Sequence, residues 1–369
     1  MLHASAGHGH EKAGVAVAQA CAQRGATDVR VVDVLTVTPS FFGDGYKNFY
    51  IFLIKNCAWL WGFFYYLLDL PAVYALVRPL RRLVNSVVGQ NLERLLADMR
   101  PDAVICTHFM SLEVVNHLKK KNGLDSFFIA VVTDFMPHMF WIERFVDVYA
   151  VAATETKHEL ERRGVPAEKI RITGIPVDKK FGQGYDRTVL LAEFGLRPDA
   201  LTVLVTSGGA GIGPLYRIVE GLSKLTGQLQ ILVVCGTNKT LHARVSALAS
   251  DRPFIKAFGF VDFMDKLMDV ADVVIGKGGG LTVSESLCKG KPIVVFQPVP
   301  GQETRNAACV QKYGAGAIAR SVDDVMKTVQ RLQENLGYLN ALKKAAAAMA
   351  RPDAARQIAE LAEHGSGQR

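Results

Sequence analysis

The chain has little cysteine, and none of it is spaced as a metal site or a disulfide framework requires. Its six cysteines (Cys21, Cys57, Cys106, Cys235, Cys288 and Cys309) form no C-x-x-C pair, and no histidine stands at zinc-ligand spacing from them. Such thiols read as free and buried in a reducing cytosol, with no metal. The start carries glycine and histidine where a signal peptide would carry charge and then an apolar run. Only Met1 to Ala4 precede the first glycine turn, so the first strand is expected to be clipped. Two phosphate signatures are missing as well. The stretch VTSGGAGIGP lacks the lysine and Ser/Thr of a Walker A loop and the spacing of a dinucleotide fingerprint, which counts against ATP hydrolysis and NAD. The net charge of +8 is not gathered into any long run. Arg78, Arg81 and Arg82 form one of several short clusters, so a nucleic-acid tail is excluded.

What is present is ample apolar residue in an alternating order. At 369 residues, 49% of them hydrophobic, the chain exceeds the size of one growing core and predicts two domains. Apolar runs (VRVVDV, AVICTH, FIAVVTD and DVYAVA, then TVLVTSG, QILVVCG and DVVIGKG) alternate with amphipathic helical stretches. That order predicts an α/β protein of two tandem doubly wound domains with parallel sheets, ligands lying at the strand carboxyl ends and in the cleft between domains. The division expected is 1–180 for the first domain and 181–349 for the second, hinged in 176–186. Pro352 should break the alanine-rich last helix, and its end, about 350–364, is expected to return to the first domain.

Residues 277–306, KGGGLTVSESLCKGKPIVVFQPVPGQETRN, carry the clearest chemistry. Gly278, Gly279 and Gly280 let backbone approach an anion without a Cβ in the way. Thr282 is read as the cap of a helix whose free N–H groups attract phosphate. Glu285 is read in its first turn, placed to accept from a ribose diol. Gln302, Glu303 and Asn306 follow the next strand and suit sugar hydroxyls. In the loops of the same half, Gly209, Gly211 and Gly213, Asn238 beside Lys239, and Phe260 with Val261 should line one sheet edge. A nucleoside diphosphate is the simplest ligand that touches them all.

In the first half, His10 ends the turn SAGHGH at a helix start, where the positive helix end disfavours an imidazolium and biases it toward a general base. His8 is its rival. Thr107 with His108, and Asp134 with His138 and Trp141, close two further strands. Residues 46–70, YKNFYIFLIKNCAWLWGFFYYLLDL, hold two of the three tryptophans, Trp59 and Trp61. Interrupted by Lys55 and Asn56, this run is short of the roughly 20 apolar residues of a membrane span. It reads as an interfacial segment, with Arg78, Arg81 and Arg82 meeting anionic lipid.

These motifs, with ITGIPV at 172–177, GFVDFM and PVPGQETRN, resemble in their order the glycosyltransferase family of plant monogalactosyldiacylglycerol synthase and bacterial processive diacylglycerol glucosyltransferase. The resemblance covers nearly the whole chain. It implies a GT-B fold and inverting transfer of glucose or galactose from a UDP-sugar to diacylglycerol, without a metal ion, by a peripheral protein on the inner face of the cell membrane. By the same resemblance His10 is the candidate base, with Asp134 and His138 on the acceptor side. The diphosphate falls to Gly209, Gly211, Gly213, Asn238 and residues 278–282; the uracil to Phe260 and Val261; the ribose to Glu285; the hexose to Gln302 and Glu303. His8 stands where the family has a small residue. Rival readings are an N-acetylglucosamine transferase acting on a polyprenyl-linked cell-wall precursor, a UDP-sugar epimerase, and a non-catalytic UDP-sugar sensor.

Overall fold

A computed structural model describes the chain except residues 6, 40–44, 46–48, 50, 51, 54, 55, 122, 368 and 369, and the side chains of 86–88. Much of 46–55, expected at the lipid, therefore lies outside the described residues. Two compact units emerge: Met1–Lys179 with Val299–Gln302 and Pro352–Arg369, and Lys180–Pro298 with Glu303–Arg351.

The first unit is built on β1 (Leu2–His3), β2 (Val32–Asp33), β3 (Ala103–Cys106), β4 (Phe127–Val131), β5 (Val148–Val151) and β6 (Ile170–Ile172), all parallel, in the order β2-β1-β3-β4-β5-β6. A parallel sheet is covered on both faces, so its strands read as continuous apolar runs. Successive side chains nevertheless go to opposite cores. Ile105, Ile129, Val131 and Ala150 meet Val17 and Ile358 on one face, while Val104, Phe128, Ala130 and Val151 meet Leu112 and Val115 on the other. Ile358 belongs to the last helix. The expected break falls at Pro352, between helices Leu336–Met349 and Ala354–Gly367. The second of these packs in the first unit, where Arg24 reaches Glu360 (3.2 Å) and Glu363 (2.7 Å).

The second unit holds β7 (Leu201–Thr206), β8 (Leu229–Val234), β9 (Ile255–Phe258), β10 (Val273–Gly276), β11 (Ile293–Phe296) and β12 (Gly316–Ala319), parallel in the order β12-β11-β10-β7-β8-β9. In each sheet the order reverses once, at β1/β3 and at β7/β10. Crossover helices go to opposite faces from such a point, leaving a crevice at the strand carboxyl ends.

Helices Ala58–Leu68 and Pro71–Val88 meet at an elbow in the first unit. Buried Asp69 fixes it, accepting from both Arg163 guanidinium nitrogens (2.6 and 3.0 Å) and from the Met139 N–H (2.8 Å). The arginines expected at anionic lipid are in large part spent inside this unit. Arg78 pairs with buried Glu143 (2.9 Å), and Arg81 with buried Glu113 (2.9 Å) while lying over the Phe140 ring. Arg82 is the more exposed and lies 3.9 Å from Glu143. Two buried carboxylates attract the cations more strongly than a screened lipid surface does.

Removing one partner from a buried pair costs about 3–5 kcal/mol. Asp69→Ala is accordingly expected to lower Tm by several degrees in a thermal scan; an unchanged Tm would contradict the anchoring role of the elbow.

Candidate active site

In the first unit the reversal point carries a histidine cluster. The helix His8–Gln23 starts after extended Gly7 and buries Ala13, Ala16 and Val17, which leaves His10 in its first turn above β1 and β3. His10 Nδ1 lies 2.7 Å from the Thr107 carbonyl and 3.0 Å from Thr133 Oγ1, and the Thr107 hydroxyl donates to the His10 carbonyl (2.8 Å). A carbonyl only accepts, so Nδ1 carries the proton and Nε2 holds the lone pair. His108 packs edge-on at 4.7 Å between ring centres, its Nδ1 accepting from the Met110 N–H (3.1 Å). Burial, only partly opposed by the Thr107 carbonyl, pushes His10 down to about 4, and burial also drives His108 well below the ordinary histidine value. Both rings are neutral at physiological pH. His8 is exposed, 3.8 Å from Glu11 and outside this cage.

Asp134 follows Thr133 in the same loop and is half-buried. His138 is buried, with Nδ1 accepting from the Phe140 N–H (3.2 Å) and Nε2 lying 2.9 Å from the Tyr65 carbonyl. The carbonyl again fixes the proton, here on Nε2, so both ring nitrogens are engaged with backbone. Trp141 is buried beneath this loop.

In the second unit the loops after β7 and β8 interlock. Gly211, at φ 56°, has left-handed backbone, and a Cβ there would run into the Cys235 carbonyl. The Thr237 N–H donates to the Gly209 carbonyl (2.8 Å). Asn238 caps the helix Lys239–Ala249 by accepting from the Leu241 N–H (2.9 Å) and donates from Nδ2 to the Gly211 carbonyl (3.0 Å). Its side chain thus shapes the glycine loop. Asn306 does the same for the loop after β10: it is fully buried and donates to the Gly278 carbonyl (2.8 Å). A Cβ on Gly278 would stand 2.7 Å from the Glu303 carbonyl, which excludes any other residue from this approach.

Two expectations for this stretch are corrected. The helix is Gly280–Cys288 with extended Gly279 at its N-cap, so Thr282 is its third residue and caps nothing. Glu285 is the sixth residue, in the second turn, and is buried. Glycine, which has no Cβ, turns into the helix earlier than a threonine cap would. Gln302 and Glu303 open the helix Gln302–Lys312. Phe260 is exposed and Val261 half-buried in the loop after β9.

Two residues were passed over in the sequence. Thr133 was hidden by the more obvious Asp134 beside it. Lys277 places its ε-carbon 3.9 Å from where a Cβ of Gly213 would be, so a cation stands between the glycine loops after β7 and β10. A lysine between a buried strand and a glycine cluster was its available signal. Among the described residues, no group of three or more His, Cys, Asp or Glu could hold a metal ion.

Known proteins share both halves. Residues 10–177 match the family model for monogalactosyldiacylglycerol (MGDG) synthase, and residues 202–364 match the glycosyltransferase family 28 C-terminal domain. Processive diacylglycerol beta-glucosyltransferases of Bacillus cereus (strain AH187) and Bacillus mycoides (strain KBAB4) are each 31% identical over 363 residues, covering 98% of this chain and 92% of theirs. Among solved structures, Acinetobacter baumannii MurG superposes with a TM-score of 0.65 at 18% identity, covering 99% of this chain and 98% of its own. That likeness shows the fold, GT-B, with its two parallel six-stranded α/β sheets. The chain therefore belongs to the MGDG synthase and processive diacylglycerol glucosyltransferase family, with the C-terminal domain of glycosyltransferase family 28.

Proposed function

We propose that the protein is a UDP-sugar-dependent hexosyltransferase that moves glucose or galactose to diacylglycerol and so makes a membrane glycolipid. The observation that carries this reading, beside family membership, is His10: a neutral imidazole with its proton fixed on Nδ1 and its lone pair on Nε2. In the proposed reaction Nε2 takes the proton of the diacylglycerol hydroxyl as its oxygen attacks the anomeric carbon from the face opposite the diphosphate. The bond from that carbon to the diphosphate oxygen breaks, UDP leaves, and the configuration inverts. Thr107 and Thr133 hold the ring, and Asp134 orients the acceptor or the imidazolium that forms. His138, its nitrogens spent on backbone, serves as a positioning residue.

On the donor side the glycine loops at 208–213 and 278–280 present N–H groups to the diphosphate, with the helix N-terminus at Gly280 adding its dipole. Lys277 supplies a full positive charge as the leaving group becomes anionic. Asn238 and Asn306 keep the loops in shape. Glu285 accepts from the ribose, backbone at Phe260 and Val261 reads the uracil, and Gln302 with Glu303 grips the hexose. Work of this kind belongs at the inner face of the cell membrane, where the acceptor resides.

Incubation with membranes and labelled UDP-glucose, UDP-galactose or UDP-N-acetylglucosamine is expected to give a hexosyl diacylglycerol from one of the first two. Label appearing only from UDP-N-acetylglucosamine, in a polyprenyl lipid, would overturn the reading. Glu285→Gln should weaken UDP binding by about 1–3 kcal/mol, the scale of a hydrogen bond to a charged group; unaltered calorimetric affinity would remove the ribose assignment. His10→Ala should keep UDP affinity and lose transfer.

The pH dependence follows from the depressed value of His10. The folded protein holds it neutral down to about 4, whereas an unfolded chain takes up this proton near 6.5. Acid therefore removes stability progressively from about 6.5 through 4, and the loss of kcat/KM from protonated His10 falls near the lower value. A His10 ring that titrates above 6 by NMR would contradict the caged geometry.

A further inference from the structure

Four cations converge on one short turn of the second unit, Asp269 to Asp272, which leads from the helix Met264–Val270 into β10. Lys289 pairs with the Asp269 carboxylate (2.7 Å), and Lys291 donates to the Asp269 carbonyl (2.8 Å). Arg187 Nη2 donates to the Val270 carbonyl (3.0 Å) and lies 3.3 Å from the Asp272 carboxylate. That carboxylate also accepts from Lys343 (2.7 Å) and from the Thr202 N–H (2.9 Å). Separate elements supply the four. Arg187 opens the helix Arg187–Glu193, and Lys343 belongs to the helix Leu336–Met349. Lys289 and Lys291 flank Gly290, whose left-handed backbone (φ 64°) turns the chain beside Ala347 of the helix that carries Lys343.

The charges do not balance. Four cations against two carboxylates leave a surplus of two positive charges on this turn. Asp186, next to Arg187, does not close the gap, because it is exposed and caps its own helix by accepting from the Thr188 N–H (2.8 Å). Since Lys289 takes Asp269 and Arg187 shares Asp272 with Lys343, Lys291 is left with a backbone carbonyl. Arg187 is unsaturated as well: among the described residues its Nε, shut from water, has no acceptor. Burial, reinforced by Lys343, pushes the Lys291 ammonium down to about 8, as a cation short of counter-charge requires.

We infer that Arg187, Lys291 and Lys343 form a binding site for a doubly charged oxyanion, inorganic phosphate or a phosphate monoester. A planar guanidinium and two ammonium groups suit the several oxygens of a phosphate, and two negative charges match the surplus. A carboxylate or a phosphodiester, with one charge, would leave half of it. The site is open to its ligand, for the Arg187 and Lys343 side chains are 38% and 31% exposed. It is also separate from the donor loops. Asp272 directly precedes β10 and Lys291 shortly precedes β11, so the cations stand at the amino ends of strands whose carboxyl ends carry the glycine cluster and the Pro-Gly-Gln-Glu turn.

The test titrates the full chain with inorganic phosphate by calorimetry, at constant ionic strength and with saturating UDP to fill the donor loops. Lys291→Met and Lys343→Met are each expected to weaken phosphate binding at least about ten-fold, the scale of one hydrogen bond to a charged group, with UDP affinity unaltered. Phosphate in place of chloride should raise the Tm of the unsubstituted protein and not that of Lys291→Met. In chloride the Tm of Lys291→Met should equal or exceed that of the unsubstituted protein, because the change removes an uncompensated cation. A Tm lowered equally in both salts would make Lys291 a structural donor and overturn the site. So would phosphate binding that neither substitution weakens. Two further arms identify the source of the phosphate: glycerol phosphate, and vesicles carrying a lipid phosphate monoester. Lys291-dependent binding of either supports the site, the first as one for a soluble ligand and the second as one for a headgroup.

Discussion

In both sheets parallel strands run side by side while their sequence order reverses, between β1 and β3 in one and between β7 and β10 in the other. Helices that follow the two strands must leave toward opposite faces, so the carboxyl ends of that pair stay uncovered. Several of the chemically loaded turns of the chain stand at one of these two places. His10 and Thr107 follow β1 and β3; the glycine loops at 208–213 and 277–280 follow β7 and β10. The parallel ladder supplies the rigidity, since each loop leaves a strand that is buried on both faces.

Rigidity matters because the chemistry depends on fixed protons and fixed backbone. One short contact from Nδ1 to a carbonyl decides which nitrogen of His10 is basic, and burial keeps the ring neutral where a solvated histidine would begin to charge. Asn238 and Asn306 perform the corresponding service for the glycine loops, each holding a loop carbonyl through its side-chain amide. In the proposed reaction proton and leaving group therefore meet partners that need no rearrangement, the condition under which electrostatic stabilisation is most effective.

The paired helices after Cys57 obey the opposite rule from ordinary surface helices. Buried carboxylates draw the arginines inward, and an apolar stripe, Leu76, Leu80 and Leu83, is left outside. In water alone this arrangement exposes large apolar side chains without return.

Much of this was written in the sequence. Alternating apolar runs determined an α/β protein with parallel sheets, Pro352 determined the break in the last helix because it lacks an N–H, and the spacing of glycines, His10 and Glu285 marked the stretches that carry the family's motifs. What the sequence could not set was which partner each polar group would find. Thr282 looked like a cap until extended Gly279 took that place, and Glu285 moved from the first helical turn to the second. Arg78, Arg81 and Arg82 read as a basic patch because Glu113 and Glu143 are distant along the chain. Asn306 read as a sugar contact, whereas folding buries it against Gly278. Local pattern fixes periodicity and punctuation; pairing over dozens of residues is decided by packing, which alone determines whether a charge meets water, lipid or another charge.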